Sequence, residues 1–388
     1  MSNDISNEAK NESRPNSRNQ EELHEEKKEN DVPENKKPSM TTTSKLNHAV
    51  MNAQQDAFVI SHEKGVKIFN TEPLSLLLSI DPELSGNAKM AGMLHRSNWI
   101  CFVGGGKHTK YPSNTAFVWE NKKEEIKYEY TVPGGPILNI MMSPTRMVIV
   151  QEKKIHIFWF PGTKGLIRAE ETRSNPSGLA AMSVDELTGQ ILAFPGFKMG
   201  SVRLMNLNNL TEFESISPTS IDAHESEICQ LAINNQGTLL ATGSVKGTII
   251  RVFETRTLRP LIELRRGNVQ ATLHCLSFSP CSSFLAVSSD KGTLHVFGIR
   301  DSEDASTKRQ VLRHVGIKGN TNIAKVSLTQ KVLACGFTKA TSKSLQSLVV
   351  ICEDASYHRF SFTADGNTKR EIYEQLLLLA EEDEFWDT

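Results

Sequence analysis

The strongest constraint in this chain is a repeat. LAINNQGTLLATGSVKGTIIRVF (231–253) reads over LSFSPCSSFLAVSSDKGTLHVF (276–297), with Lys246-Gly247-Thr248 falling on Lys291-Gly292-Thr293, 45 residues further on. Each stretch is a β-rich run, a tight Gly turn and a second β-rich run. FVISHEKGVKIF near 60 and VVICEDASYHRF near 354 have the same grammar. A period of about 45 residues is that of a four-stranded propeller blade. Further units at 93–119, 137–160 and 178–206 bring the count to seven. Helical periodicity is almost absent before the last twenty residues, so the expected fold is all-β: a seven-bladed β-propeller closed into one ring.

The Trp-Asp and Gly-His dipeptides of WD repeats are missing from their expected places, which makes the blades degenerate WD-type repeats. Three segments follow. Residues 1–44 are rich in Asn, Glu, Lys and Ser with few large apolar residues; they cannot bury enough surface to offset ordering entropy and read as a disordered tail. Residues 45–367 form the propeller. Residues 368–388 read as a helical, acidic tail: Thr368 with Glu371 makes a capping box, and Ile372, Leu376 and Leu379 share a face.

The bulk numbers exclude several functions. A formal charge of −1 supplies no global field toward nucleic acid or anionic membrane, so any phosphate binding must be built locally. The start of the chain has no apolar signal segment, and no run of about 18 apolar residues exists. Membrane contact is therefore expected to be peripheral. The six cysteines are scattered without a C-x-x-C pair, which reads as reduced thiols in a cytosolic protein and not as a zinc site. No metal, cofactor or converging carboxylate cluster is expected, which argues against an enzyme.

The residues that ask for a function are in LIELRRGNVQ (261–270). Arg265 and Arg266 end the last strand of the fifth blade, and successive side chains on a strand point to opposite faces. Arg265 should look back across the fifth blade and Arg266 forward to the sixth. On the first side the aligned segments supply His224, Ser244, Thr248 and Arg251; on the second they supply Ser289, Thr293 and His295. Arginine forks, hydroxyl donors and imidazoles are the groups that a phosphate monoester needs. Protonated imidazole is the better donor, so His224 and His295 are expected to tighten binding as the pH falls from 8 to 6.

LRRG between two such blades, followed by FSPCSSFLAVSSDKGTLHVF, resembles the PROPPIN family of β-propellers that bind polyphosphoinositides. The family hallmark is F-R-R-G, or L-R-R-G in some members. The resemblance covers nearly all of 46–380, is densest at 224–297, and looks most like the shorter fungal member linked to selective autophagy of nuclear pieces. It implies two headgroup sites, for phosphatidylinositol 3-phosphate and phosphatidylinositol 3,5-bisphosphate. By residue-for-residue match the first would use His224, Ser244, Thr248, Arg251 and Arg265, and the second Arg266, Ser289, Thr293 and His295. Leu264 stands where Phe is commoner and should face packing. The resemblance also implies a monomer in solution, peripheral on vacuolar, endosomal and pre-autophagosomal membranes, with an autophagic lipid-transfer protein docking near the second blade, around 85–135.

A long loop follows in the sixth blade, DSEDASTKRQVLRHVGIKGNT (301–321). Its second half interleaves Val311, Leu312, Val315 and Ile317 with Lys308, Arg309, Arg313 and Lys318. Apolar residues flanked by bases suit the bilayer interface, and the corresponding PROPPIN loop inserts into membrane. Two weak sites and a loop on one rigid rim would bind by avidity. The competing reading is a WD-like scaffold that binds only proteins.

Overall fold

The structure, a computed structural model, describes residues 45–386 apart from 107–108, 163–164, 186–188, 209, 211–216, 300–321, 340–343, 345 and 364. The N-terminal segment 1–44 and the basic-apolar loop 301–321 lie outside the described residues.

Strands numbered β1–β28 in chain order form seven antiparallel four-stranded sheets, each built from consecutive strands. The sheets span 48–80, 88–131, 139–171, 181–222, 228–265, 273–327 and 332–375. The seven-bladed propeller expected from the 45-residue period is the fold. A single helical turn, α1 (Pro82–Ser85), links the first two blades, and α2 (Leu376–Trp386) follows the last strand.

Strand alternation explains how these sheets pack. In β22 (Phe284–Ser289), Phe284 and Ala286 belong to the core shared with the seventh blade, and Leu285 and Val287 to the core shared with the fifth. Both faces of an inner strand are buried, so the strand reads as a continuous apolar run, not as an alternating one. One hydrophobic cluster fills each of the seven seams.

The ring closes without strand exchange. The inner strand β1 (His48–Met51) packs on β25 (Val332–Thr338). Gln55, just after β1, donates from Nε2 to Phe278 O at 2.7 Å and accepts from Phe337 N at 2.6 Å, so one amide ties blade one to blades six and seven. Tyr357 stacks on Phe58 and donates to Thr71 O at 2.9 Å.

The helical reading of 368–375 is overturned. Thr368–Gln375 is β28, the outermost strand of the seventh blade, paired with β27 (Ser356–Phe362) from Phe362↔Thr368 to Ser356↔Gln375. The Thr368–Glu371 capping box does not form; the Glu371 carboxylate lies 3.0 Å from Arg359 Nε instead. The open edge of β27 offers backbone donors and acceptors that need partners, and that demand outweighs a modest helix propensity. The helix starts at Leu376, where its buried face enters the seam between blades seven and one: Leu376 and Ala380 are fully buried beside Phe58, Ile60 and Tyr357.

Candidate functional site

Strand parity settles where the two arginines face. Leu264, in β20 (Pro260–Arg265), is fully buried in the seam between blades five and six. It faces packing, as expected for the position where Phe is commoner. Arg265 must then turn toward the fourth blade and Arg266 toward the sixth. Blades diverge as they leave the ring axis, so outer-strand side chains look into open wedges between neighbours.

The first wedge collects side chains from the fourth-blade side of blade five. Ser244 ends β18 (Leu239–Ser244), Arg251 lies in β19 (Ile249–Glu254), and Arg265 pairs in register with Ile249. His224 comes from the loop between β16 (Thr219–Asp222) and β17 (Ile228–Ile233). Its Nε2–H donates to Thr242 Oγ1 at 2.9 Å and lies 3.2 Å from Thr242 O, which fixes the tautomer. Arg251 donates from Nη1 to Ala223 O at 2.7 Å and from Nε to Glu263 Oε2 at 3.0 Å. Arg265 is exposed and donates to Asn268 Oδ1 at 3.1 Å. Thr248 lies in the turn ahead of β19, and its carbonyl accepts the Arg266 N–H at 2.9 Å.

The second wedge is built from blade six. Ser289 ends β22; Thr293 and His295 lie in β23 (Thr293–Gly298), with parity that turns them toward blade five. Arg266 enters from the other side. Its guanidinium is largely buried, donates from Nε to Gly247 O at 2.7 Å, and bonds Val269 O through Nη2. Asn322 Nδ2 donates to His295 Nδ1 at 2.9 Å, which leaves Nε2–H facing Thr293 Oγ1 at 3.3 Å. The Ser289 hydroxyl is buried and makes no hydrogen bond among the described residues. A buried hydroxyl without a partner is costly unless something fills the site.

Three groups escaped the sequence reading. Glu263 sits across from Arg251 in register, and Lys325 of β24 (Asn322–Ser327) sits across from His295. The first wedge therefore carries an acid where the second carries a base. Asn322 fixes the imidazole of the second. Glu263 was findable: it is two residues before Arg265 on the same strand face. Lys325 lies beyond the long loop, where repeat alignment fails.

Burial lowers both imidazoles. His224 is pushed below its ordinary value chiefly by burial and then by Arg251, against a hydrogen bond to Thr242 and the pull of Glu263. His295 is pushed down to about 4 by burial, Lys325 and Arg266. His295 is therefore neutral between pH 8 and 6, and the expectation of tighter phosphate binding on acidification across that range loses its basis at this residue.

A family model described as PROPPIN matches residues 52–331. The chain belongs to the PROPPIN family. This PROPPIN is 43% identical over 372 residues to Ectopic P granules protein 6 of Caenorhabditis elegans, covering 93% of this chain and 94% of the relative. The solved structure of Kluyveromyces lactis Hsv2 with a complete loop 6CD superposes with a TM-score of 0.71 at 22% identity, over 86% of this chain and 99% of that one. KlAtg21 in complex with the coiled coil of AgAtg16 superposes with a TM-score of 0.67 at 19% identity, over 85% and 99%. PROPPINs are phosphoinositide-binding, autophagy-related propellers, and the family fold binds without catalysing. Among the described residues no helix is long and apolar enough to cross a membrane, and no three His, Cys, Asp or Glu gather as a metal site.

Proposed function

We propose that this PROPPIN is a peripheral membrane effector that binds phosphatidylinositol 3-phosphate and phosphatidylinositol 3,5-bisphosphate through the two wedges flanking Leu264-Arg265-Arg266-Gly267. The observation that carries this reading is the opposed parity of Arg265 and Arg266. Each arginine serves its own pocket, and each pocket brings hydroxyls and an imidazole. Site one uses His224, Ser244, Thr248, Arg251 and Arg265; site two uses Arg266, Ser289, Thr293 and His295, with Lys325 added. The bases and apolar residues of 301–321, from Lys308 to Ile317, supply the third contact. Three modest contacts on one rigid rim combine by avidity.

Family membership supports the cellular role. We place the protein in selective autophagy and in traffic at vacuolar, endosomal and pre-autophagosomal membranes, bound from the cytoplasmic side. A rim that faces the bilayer leaves the rest of the ring for proteins. The autophagic lipid-transfer protein is the partner proposed for the second blade. A structural neighbour, KlAtg21, assembles with a coiled coil of AgAtg16, so a coiled-coil partner for a face of this ring is equally proposed.

The test is co-flotation with vesicles containing phosphatidylinositol 3-phosphate or phosphatidylinositol 3,5-bisphosphate, comparing the native chain with Arg265→Thr/Arg266→Thr and checking the variant's fold by circular dichroism. Native flotation with loss in the folded variant supports two pockets. Equal flotation reassigns binding away from the arginines. No flotation of either on either phosphoinositide leaves the protein-scaffold reading.

A further inference from the structure

Four apolar side chains stand exposed around the two wedges. In the fourth blade, the hairpin between β14 (Ile191–Pro195) and β15 (Ser201–Asn206) carries Gly196-Phe197-Lys198-Met199-Gly200. Phe197 is 59% exposed and Met199 50%. Val245, in the equivalent turn of blade five, is 43% exposed, and Val269, in the loop leaving that blade, 67%. Large apolar groups this open are normal when scattered singly. These are not scattered. Second-to-third-strand turns and the loops between blades emerge on one face of the ring, because every blade runs its strands in the same order. All four side chains therefore share the edge onto which both wedges open.

The hairpin is also fastened to the first wedge. Gly200 has φ +72° and accepts at its carbonyl the N–H groups of Ala223 and His224, at 3.0 and 2.9 Å. A Cβ at position 200 would stand 1.7 Å from His224 O, so only glycine lets the hairpin lie this close to the site-one histidine. Val269 and Val245 are tied to the second: Val269 O holds Arg266, and Val245 O accepts from Gln270.

We propose that the 195–200 hairpin enters the membrane, with Phe197 and Met199 seated at the boundary between headgroups and acyl chains and Val245 and Val269 beside them. The proposal rests on the phosphoinositide reading above. The occupant is a lipid surface, because the four exposed groups sit on separate turns and loops beside the two wedges proposed above to hold lipid headgroups. A fluid surface can close around such tips; a rigid partner cannot readily match them. The local charge agrees. Lys198 pairs with Asp222 at 2.6 Å, and Lys246 lies 3.8 Å from Glu225, so the carboxylates nearest the tips are neutralised by bases. Arg203 lies under the Phe197 ring, 5.5 Å from its centroid, and holds it outward. Apolar tips bind the interface by burial, and the paired bases leave no net negative charge from these carboxylates to oppose an anionic lipid surface.

The test separates headgroup from bilayer. The full chain and its Phe197→Ser/Met199→Ser variant are titrated with the soluble headgroup inositol 1,3-bisphosphate and with phosphatidylcholine vesicles containing phosphatidylinositol 3-phosphate. The expected result is unchanged headgroup affinity with vesicle affinity reduced about tenfold, the scale on which a few partly buried apolar groups act. Unchanged vesicle affinity overturns the proposal. An equal loss on headgroup and vesicle also overturns it, since the hairpin would then act only by supporting His224. If the native chain binds neither ligand, the phosphoinositide reading fails first. A second variant, Phe197→Trp, gives a direct readout: its added fluorescence should be quenched by brominated acyl chains, and a tryptophan unquenched on bound vesicles excludes insertion.

Discussion

Arg251 and Glu263 face each other across the outer pair of the fifth blade, Nε to Oε2 at 3.0 Å, where the sixth blade sets His295 against Lys325. Two wedges related by the repeat thus differ at two matched positions, with an Arg–Glu ion pair in the first and a neutral His beside Lys in the second. Glu263 engages the cation that a phosphate in site one would need. It also repels the incoming anion. Lys325 would do the reverse in site two, and it helps keep His295 neutral.

Reversing that asymmetry should reverse the ranking of the sites. In an Arg266→Thr background, which leaves site one alone, Glu263→Gln should tighten phosphatidylinositol 3-phosphate binding by about 3- to 10-fold. In an Arg265→Thr background, Lys325→Ala should weaken it by about tenfold. Both correspond to roughly 1 kcal/mol of charge interaction at a half-exposed site. Calorimetry with the soluble headgroup reads both without the contribution of the bilayer. No change in either variant would mean that the wedges are not where the phosphate sits.

Stability should fall in mild acid. His48, His295 and His358 are all pushed down to about 4, each chiefly by burial. The unfolded chain takes up protons near pH 6.5, and the folded chain refuses them until about pH 4. Between those values the unfolded state binds more protons, so stability rises with pH. The contribution is fully present above about pH 6.5 and is lost progressively as the pH falls toward 4. Thermal unfolding of the full chain at pH 7 and pH 5 should show a drop on the order of 5 °C or more. His295→Gln should reduce the drop, and an unchanged drop would remove this histidine from the account.

Much of this was legible in residue order because propellers repeat. The Lys-Gly-Thr pair at 246–248 and 291–293 fixed the period, and the period fixed the blades. Parity along β20 then placed Leu264, Arg265 and Arg266 on their faces before any coordinate. The limits have physical causes too. Lys325 lies beyond the 301–321 segment, where the repeat register is lost. Val245 and Val269 look like core residues in a string of letters; only the turn geometry leaves them outside. Thr368–Gln375 carries the marks of a helix start, and nothing local announces that β27 needs a partner.

The C-terminal helix should act as a latch on the ring. Blades one and seven exchange no strand, so apart from a backbone bond from Leu46 N–H to Glu353 O at 2.8 Å their seam depends mainly on side chains. Leu376 and Ala380 fill that seam against Phe58, Ile60 and Tyr357, and the Leu376 N–H donates to Ala355 O at 3.0 Å. Leu376→Ala would leave a cavity between rigid sheets that cannot readily collapse, a change that costs about 2–4 kcal/mol. Leu378, 60% exposed on the same helix, makes a matched control, because its truncation removes far less buried surface. Urea unfolding of the two variants should separate them: a clear loss of midpoint for Leu376→Ala and almost none for Leu378→Ala. Equal midpoints would mean that the helix frays from the ring in solution, and that the closing amide of Gln55 and the Phe58–Tyr357 stack hold the seam without it.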